Sequence, residues 1–210
     1  MTRSLAGALL ANITGAALLL SAAFAQTSEE QTDTNDEAAT AAPTIPSQAG
    51  LDAWEAAYKV FSHPRCVNCH TADEYPRWSG PSYGEARVHG MNVQRGPAGF
   101  GMAGMQCITC HGNENSAKLH GPPGNDVWHL APVEMAWWEK SSAEICEQIK
   151  DPERNGGRTL EEVATHIRDD GLVLWGWDPG PGREPAPGSA QETYALIVKW
   201  AAEGAPCPLP

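Results

Sequence analysis

Two segments of the same pattern, Cys66-Val67-Asn68-Cys69-His70 and Cys107-Ile108-Thr109-Cys110-His111, decide how this chain must fold. Cysteines at i and i+3 and a histidine at i+4 share one face of a helical turn. The pattern is typical of c-type haem attachment, in which each thiol adds to a porphyrin vinyl group and the histidine binds the iron. The sequence therefore predicts two covalently attached haem c groups, held by Cys66, Cys69, Cys107 and Cys110, with His70 and His111 as iron ligands. A zinc site or a dithiol pair is the alternative.

The N-terminus predicts export. A short positive region at Thr2-Arg3 precedes a largely apolar stretch from Leu5 to Leu20, and Ala23-Phe24-Ala25 forms an A-x-A cleavage site. We interpret residues 1–25 as a signal peptide, with a retained membrane anchor as the alternative. Polar residues interrupt the apolar stretch, which suits a signal peptide better than a span of about 20 apolar residues. The expected location of the mature protein is the periplasm.

Two of the six cysteines lie outside the pentads, at Cys146 and Cys207. In an oxidising compartment two such cysteines pair more often than they stay apart. Their disulfide would close a loop of about sixty residues and contribute roughly 4 kcal/mol by loop-closure entropy. Two separate buried thiols are the alternative.

Composition divides the exported part of the chain in two. Residues 26–49 form a leader with five acidic and no basic residues up to position 48, and they are too polar to offset the entropy of ordering. Residues 50–210 have the length of one ordinary domain. The pentads begin at positions 66 and 107, about half the separation that resemblance to self-contained single-haem cytochrome domains implies for two tandem copies, and no other repeat is present. We therefore expect both haems to share one core.

Helix signals predict a mainly α fold with extensive irregular loops, arranged like a dihaem cytochrome c. Apolar residues at helical spacing precede the first pentad, at Trp54, Ala57, Tyr58 and Phe61. Three later helices begin at capping patterns, Ser141-x-x-Glu144, Thr159-x-x-Glu162 and Ser189-x-x-Glu192. We expect the second of these to stop at Gly171 and the third near Gly204. Strand alternation of useful length is absent from the sequence.

Each iron of an electron-transfer cytochrome usually takes a second axial ligand, a histidine or a methionine. The leading candidates are His89, which lies between the pentads, and Met135, which precedes two tryptophans. The lower-ranked candidates are His166, Met91 and His63. His63 precedes its own pentad by three residues, so it is expected to reach only the other iron.

Tryptophan and arginine supply further candidates around the predicted haems. The chain has eight tryptophans, whose wide flat rings pack well against a porphyrin. Arg95, Arg158 and Arg183 each adjoin a glycine and are candidate partners for haem propionates, with an exposed loop charge as the alternative.

Several blocks together resemble a known family. They are 63–70, 89–96, 107–111, Leu130-Ala131-Pro132, the 151–158 block ending Asn-Gly-Gly-Arg, Trp175-Gly176-Trp177 with Pro179-Gly180, and the closing 204–208. From Trp54 onward the chain is similar to small exported dihaem c-type cytochromes commonly labelled isoquinoline 1-oxidoreductase subunits. The resemblance implies a cytochrome that accepts electrons from a molybdenum-containing hydroxylase and passes them to a respiratory acceptor. It implies a partner and not a catalytic activity of this chain.

The first functional hypothesis is therefore a periplasmic dihaem cytochrome c that transfers electrons between a redox donor and an acceptor, with no catalytic residues of its own. The formal charge of −12 argues against nucleic acid as a partner, because nucleic-acid binding depends on neutralising phosphates. Two alternatives from other classes are a peroxidase-like dihaem enzyme with one open iron and a haem-based ligand sensor.

Overall fold

The computed structural model describes residues 45–210, and its regular structure is mainly helical. The predicted signal peptide (1–25) lies outside the described residues, as does the predicted leader (26–49) apart from its last few positions. The first helix begins at Gln48, slightly before the domain start expected at residue 50. Within residues 45–210, no helix is both long enough and apolar enough to cross a bilayer.

The elements follow one another in simple order. The α-helices are α1 (Gln48–Phe61), α2 (Pro64–Val67), α3 (Ser142–Lys150), α4 (Leu160–Asp169), α5 (Gly171–Leu174) and α6 (Ala190–Ala202). Two antiparallel hairpins lie between α2 and α3, formed by β1 (Arg77–Gly80) with β2 (Gly84–Val88) and by β3 (Gly101–Met102) with β4 (Met105–Gln106). Short 3₁₀ turns occur at Pro81–Tyr83, Gly90–Asn92, Cys107–Thr109, Val133–Met135 and Trp175–Trp177.

The predicted caps position the long helices. The Ser141 hydroxyl accepts a hydrogen bond from the Glu144 backbone N–H, and the Glu144 carboxylate accepts one from the Ser141 N–H, which completes a capping box. Thr159 and Glu162 do the same for α4. At α6 the Ser189 hydroxyl accepts from the Glu192 N–H. The three capping patterns thus begin helices where the sequence predicts them.

Gly171 does not act as the predicted stop of α4. The helix ends at Asp169, and the Asp170 carboxylate accepts hydrogen bonds from the N–H groups of Leu172 and Val173. Asp170 is therefore the N-cap of α5, and Gly171 is the first residue of that helix. A strong N-cap thus takes the place of the glycine termination that the sequence suggested.

The core lies where α1, α3, α4 and α6 meet. Trp54 of α1 and Trp200 of α6 are fully buried, with ring centroids 4.9 Å apart. The predicted disulfide is present: Cys146 of α3 is bonded to Cys207, with Cα atoms 5.6 Å apart, and it ties the chain after α6 to this core. The long helices thus pack around one hydrophobic core, and the first pentad packs against it.

The chain between α2 and α3 is irregular and is held largely by Arg95. The Arg95 guanidinium is buried and donates to the Thr71 carbonyl at 2.7 Å, to the Asp73 carbonyl at 3.2 Å and to the Ala131 carbonyl. These bonds connect the chain that follows the first pentad to the chain that follows the second. The first hairpin was not predicted, because β2 is exposed at every position and its alternation of polar and apolar residues, Glu85-Ala86-Arg87-Val88, spans only four residues.

Candidate haem sites

Both pentads form the helical turn that the motif requires. In the first, the N–H of His70 donates to the Cys66 carbonyl at 3.2 Å. In the second, the N–H of His111 donates to the Cys107 carbonyl at 3.0 Å. The first turn continues from α2, whereas the second begins as the 3₁₀ turn Cys107–Thr109. The two cysteines and the histidine of each motif therefore lie along one turn, as predicted.

The His70 side chain is held by the segment that precedes α3. Its Nδ1 lies 2.7 Å from the Met135 carbonyl, and its ring stacks on the Trp137 ring with centroids 3.6 Å apart and planes 7° apart. The backbone N–H groups of Trp137 and Trp138 both donate to the His70 carbonyl. The main chain, ring nitrogen and ring face of His70 are thus all bound by one short segment.

The His111 side chain has a closely similar setting built from a different segment. Its Nδ1 lies 2.8 Å from the Pro123 carbonyl, and its ring stacks on Trp128 with centroids 4.4 Å apart and planes 5° apart. Next to it, the Asn125 N–H donates to the Gly112 carbonyl. Both pentad histidines therefore have one ring nitrogen against a backbone carbonyl and one ring face against a tryptophan.

These contacts fix the tautomer of both imidazoles. A carbonyl oxygen can only accept, so Nδ1 of each ring must carry the proton and donate it. Burial lowers the pKa of His70 to about 4 and that of His111 to about 4, against the opposing effect of the carbonyl hydrogen bonds. Both rings are therefore neutral at neutral pH, with the Nε2 lone pair available for a metal.

The four pentad cysteines are not in disulfides, in contrast to Cys146 and Cys207. Burial raises the pKa of the Cys66 thiol to about 12 and that of the Cys69 thiol to about 11. Among the described residues, no group of three or more His, Cys, Asp or Glu side chains is arranged to hold a metal ion. A haem iron needs only one or two protein ligands, since the porphyrin supplies the other four, and so this donor set fits haem.

Residues of both pentads line one cavity of about 310 Å³. Cys69 reaches it from the first pentad, and Cys107, Cys110 and His111 reach it from the second. Its walls are largely apolar and aromatic, as a porphyrin pocket requires, and include Trp78, Trp128, Leu130 and Trp175.

His89 and His111 line the same cavity. The centroids of the two imidazole rings are 6.1 Å apart. Metal–imidazole bonds are about 2 Å long, so two rings on opposite sides of one metal atom have centroids about 6 Å apart. The Nδ1 of His89 faces the Gly90 carbonyl at 2.9 Å, which leaves its Nε2 free as well. The separation therefore suits two imidazoles that share one iron.

The other distal candidates lie in different places. Met91 lines the same cavity as His89 but is 73% exposed and has a left-handed backbone, with φ of 62°. His166 of α4 is half-buried near His70, with its Nδ1 3.4 Å from a carboxylate oxygen of Asp170. Both remain candidates, Met91 for the iron of His111 and His166 for the iron of His70.

Met135 and His63 have structural roles that the sequence did not suggest. The Met135 carbonyl accepts a hydrogen bond from His70 Nδ1–H, which puts the main chain of Met135 on the side of the ring away from Nε2. The Nδ1 of His63 accepts the Arg65 N–H at 3.2 Å and caps α2, so in the neutral ring Nε2 carries the proton. Neither residue is brought opposite a pentad histidine, and for both iron ligation stays a prediction.

The arginines expected near propionates separate into two groups. Arg183 lines the cavity. The Arg95 guanidinium donates its hydrogen bonds to backbone carbonyls, as described above. The Arg158 guanidinium donates to the Asn155 carbonyl in the turn between α3 and α4, where the buried Asn155 amide donates to the carbonyls of Ile149 and Arg158. The Asn-Gly-Gly-Arg block therefore shapes a turn.

The sequence pointed to tryptophans as porphyrin packing and missed that two of them stack on the iron-ligand candidates. Trp128 lies 17 residues after His111 and Trp137 lies 67 residues after His70, so no local sequence pattern marks either pair. Sequence reasoning also missed Arg65, which is buried at the cavity wall. Such pairings depend on tertiary contacts.

No family model, curated protein or solved structure matches this chain. The pentads and the contacts around them are therefore the features that bear on function.

Proposed function

We propose that this protein is a periplasmic dihaem c-type cytochrome that transfers electrons between redox partners. The observation that carries the proposal is the matched setting of His70 and His111. Each histidine closes a Cys-x-x-Cys-His turn, donates Nδ1–H to a backbone carbonyl and stacks on a tryptophan. Two independent segments of the chain thus prepare the same neutral ligand with Nε2 free, which is what an axial haem ligand requires.

The chain's own residues have separable tasks in this proposal. Cys66 and Cys69 anchor one haem and Cys107 and Cys110 the other, through thioether bonds. His70 and His111 hold the irons, and His89 is the proposed second ligand of the iron bound by His111. Bound haem supplies a one-electron iron couple at each site.

The partners follow from charge and from the family resemblance. We infer a donor of the molybdenum hydroxylase type and a respiratory acceptor. Acidic residues outnumber basic ones, 26 to 14, so a docking partner with a basic patch around its electron-exit site is favoured. Long-range attraction speeds encounter while leaving the complex weak enough to turn over.

Two measurements test this function. Visible spectra of both redox states and the EPR spectrum of the ferric state should show low-spin iron at both sites. Stopped-flow reduction by a basic redox protein should slow as ionic strength rises, because salt screens the attraction. Deletion of residues 26–48 should weaken this salt dependence only in part. A rate that is flat or rises with salt would contradict electrostatic docking.

A peroxidase-like enzyme is the second candidate, and one observation favours it. Among the described rings, His70 stacks only on Trp137, whereas the His111 ring also lies near that of His89. An iron on His70 without a second ligand would leave an open coordination position. A high-spin signal from one iron, together with rapid turnover of hydrogen peroxide, would replace the electron-transfer proposal with this one.

A further inference from the structure

Arg65 carries a buried charge at the wall of the cavity. The residue is 7% exposed, and its guanidinium lies 5.8 Å from the centre of the Trp175 ring. Its Nη2 donates to the Ser79 carbonyl at 2.7 Å, but its buried Nε has no hydrogen-bond partner among the described residues. None of the ion pairs found within residues 45–210 includes Arg65.

Arg183 adds a second positive charge to the same cavity. Its guanidinium donates to the carbonyls of Pro179 and Gly121 and likewise takes part in no ion pair of the described residues. Burial lowers the pKa of the Arg65 guanidinium, and repulsion by the charge of Arg183 lowers it further. The charge of Glu184 acts against this shift. Its Oε1 accepts from the Ser82 hydroxyl, and its buried Oε2 has no hydrogen-bond partner and no ion pair with Arg65 among the described residues.

Two guanidinium groups with one nearby carboxylate leave an excess of positive charge at a partly buried site. A buried charge is destabilising unless it is paired and hydrogen-bonded. Glu184 offsets one of the two charges, and the other calls for an anion that reaches the cavity. A planar carboxylate matches the guanidinium fork and can be bound by two parallel N–H groups.

We propose that Arg65 and Arg183 form a carboxylate-binding site that holds a propionate of the haem in this cavity. The inference rests on the proposed function, because it takes haem as the ligand. The two arginines neutralise the carboxylate where water is excluded. They act on the iron through that charge and are not ligands.

The test compares charge-removing variants of the purified holo-protein, after mass spectrometry has counted the haems in each. In Arg65→Gln the midpoint potential of one haem should fall, because loss of a positive charge favours ferric iron. We expect about a tenfold change in its ferrous-to-ferric ratio, equal to about 59 mV for a one-electron couple. The pH-dependent part of the potential should move to higher pH, since a carboxylate without its cation has a higher pKa.

Controls separate this effect from structural damage. Arg65→Lys should keep most of the wild-type potential, and Arg183→Gln, at a less buried position, should shift the same haem in the same direction. Arg154→Gln removes an equal charge from an exposed ion pair with Asp151 and should leave both potentials unchanged.

The outcomes are distinct. If Arg65→Gln does not fold, Arg183→Gln decides the question by itself. Potentials and pH profiles equal to those of Arg154→Gln would overturn the carboxylate site while leaving the two haems in place. A wild-type protein without haem would overturn the proposed function, and this inference with it.

Discussion

At the scale of single residues, two histidines, His70 and His111, are held in matching settings. His70 and His111 are each bound by a carbonyl at Nδ1 and a parallel tryptophan ring, although the two settings share no sequence pattern. The carbonyl fixes the tautomer and the tryptophan fixes the plane of the ring. Control of both is what an axial ligand needs, since ligand orientation and hydrogen bonding tune a haem.

Trp128 tests the stacking contact, because it is less buried than Trp137. In Trp128→Leu the His111 ring loses its flat support. We expect a changed EPR signal and a shifted potential for one haem, with both haems still attached. Trp128→Phe keeps an aromatic face and should restore most of the wild-type signal. Identical spectra for the wild type and the leucine variant would show that the stack does not position the ligand.

His89 tests the assignment of the second ligand. In His89→Ala the iron held by His111 should become high-spin or take a different ligand, while the other iron keeps its spectrum. His120→Ala is a matched control, because His120 lines the same cavity but its Nδ1 is bound to the Tyr83 hydroxyl. An unchanged His89→Ala spectrum would shift the assignment to Met91.

At the scale of elements, the sequence predicted the features that depend on contacts between near neighbours, such as helix starts, better than the hairpins. The three caps were predictable because a capping box is a contact between residues three apart. Gly171 was misassigned because Asp170 offered a stronger local signal, an N-cap for α5. The second hairpin was missed because β3 and β4 are two residues each. The backbone of Gly101, with φ of 94°, allows that second hairpin, since a Cβ there would lie 2.6 Å from the Met105 carbonyl oxygen.

The capping box of α4 gives a prediction at this scale. Thr159→Ala removes the acceptor for the Glu162 N–H and should lower the free energy of unfolding by about 1 kcal/mol. Urea titration of the holo-protein measures this change. Glu147→Ala on the exposed face of α3 is the control and should change stability by less than about 0.5 kcal/mol. A loss at Thr159 no larger than at Glu147 would contradict the cap.

At the scale of the whole molecule, a helical core tied by the Cys146–Cys207 disulfide lies next to the cavity that residues of both pentads line. The disulfide was predictable because only Cys146 and Cys207 lie outside the pentads, whereas haem attachment at the four pentad cysteines stays a prediction. For the second iron ligands the sequence offered only a set of candidates, because the approach of His89 to His111 depends on how the chain between the pentads folds. The burial of Arg65 at the cavity wall likewise could not be predicted, because it depends on tertiary contacts.

The Cys146–Cys207 disulfide should stabilise the helical core without changing the number of attached haems. Replacing both Cys146 and Cys207 by serine should lower the free energy of unfolding by up to about 4 kcal/mol, because the unfolded chain gains the entropy of a long open loop. Thermal unfolding with and without reductant measures the effect. Reductant should destabilise the wild type and leave the double variant unchanged. Equal stability of the two proteins would contradict a structural role for the bond.

The central claim is that each pentad binds one haem covalently, and the intact mass of the mature protein tests it most directly. The protein should be made in cells with c-type haem maturation machinery. We expect the wild type to gain the mass of two haems. The Cys66→Ala/Cys69→Ala and Cys107→Ala/Cys110→Ala variants should each gain one, and the variant that lacks all four cysteines should gain none. A wild-type protein that carries one haem or none would contradict the claim.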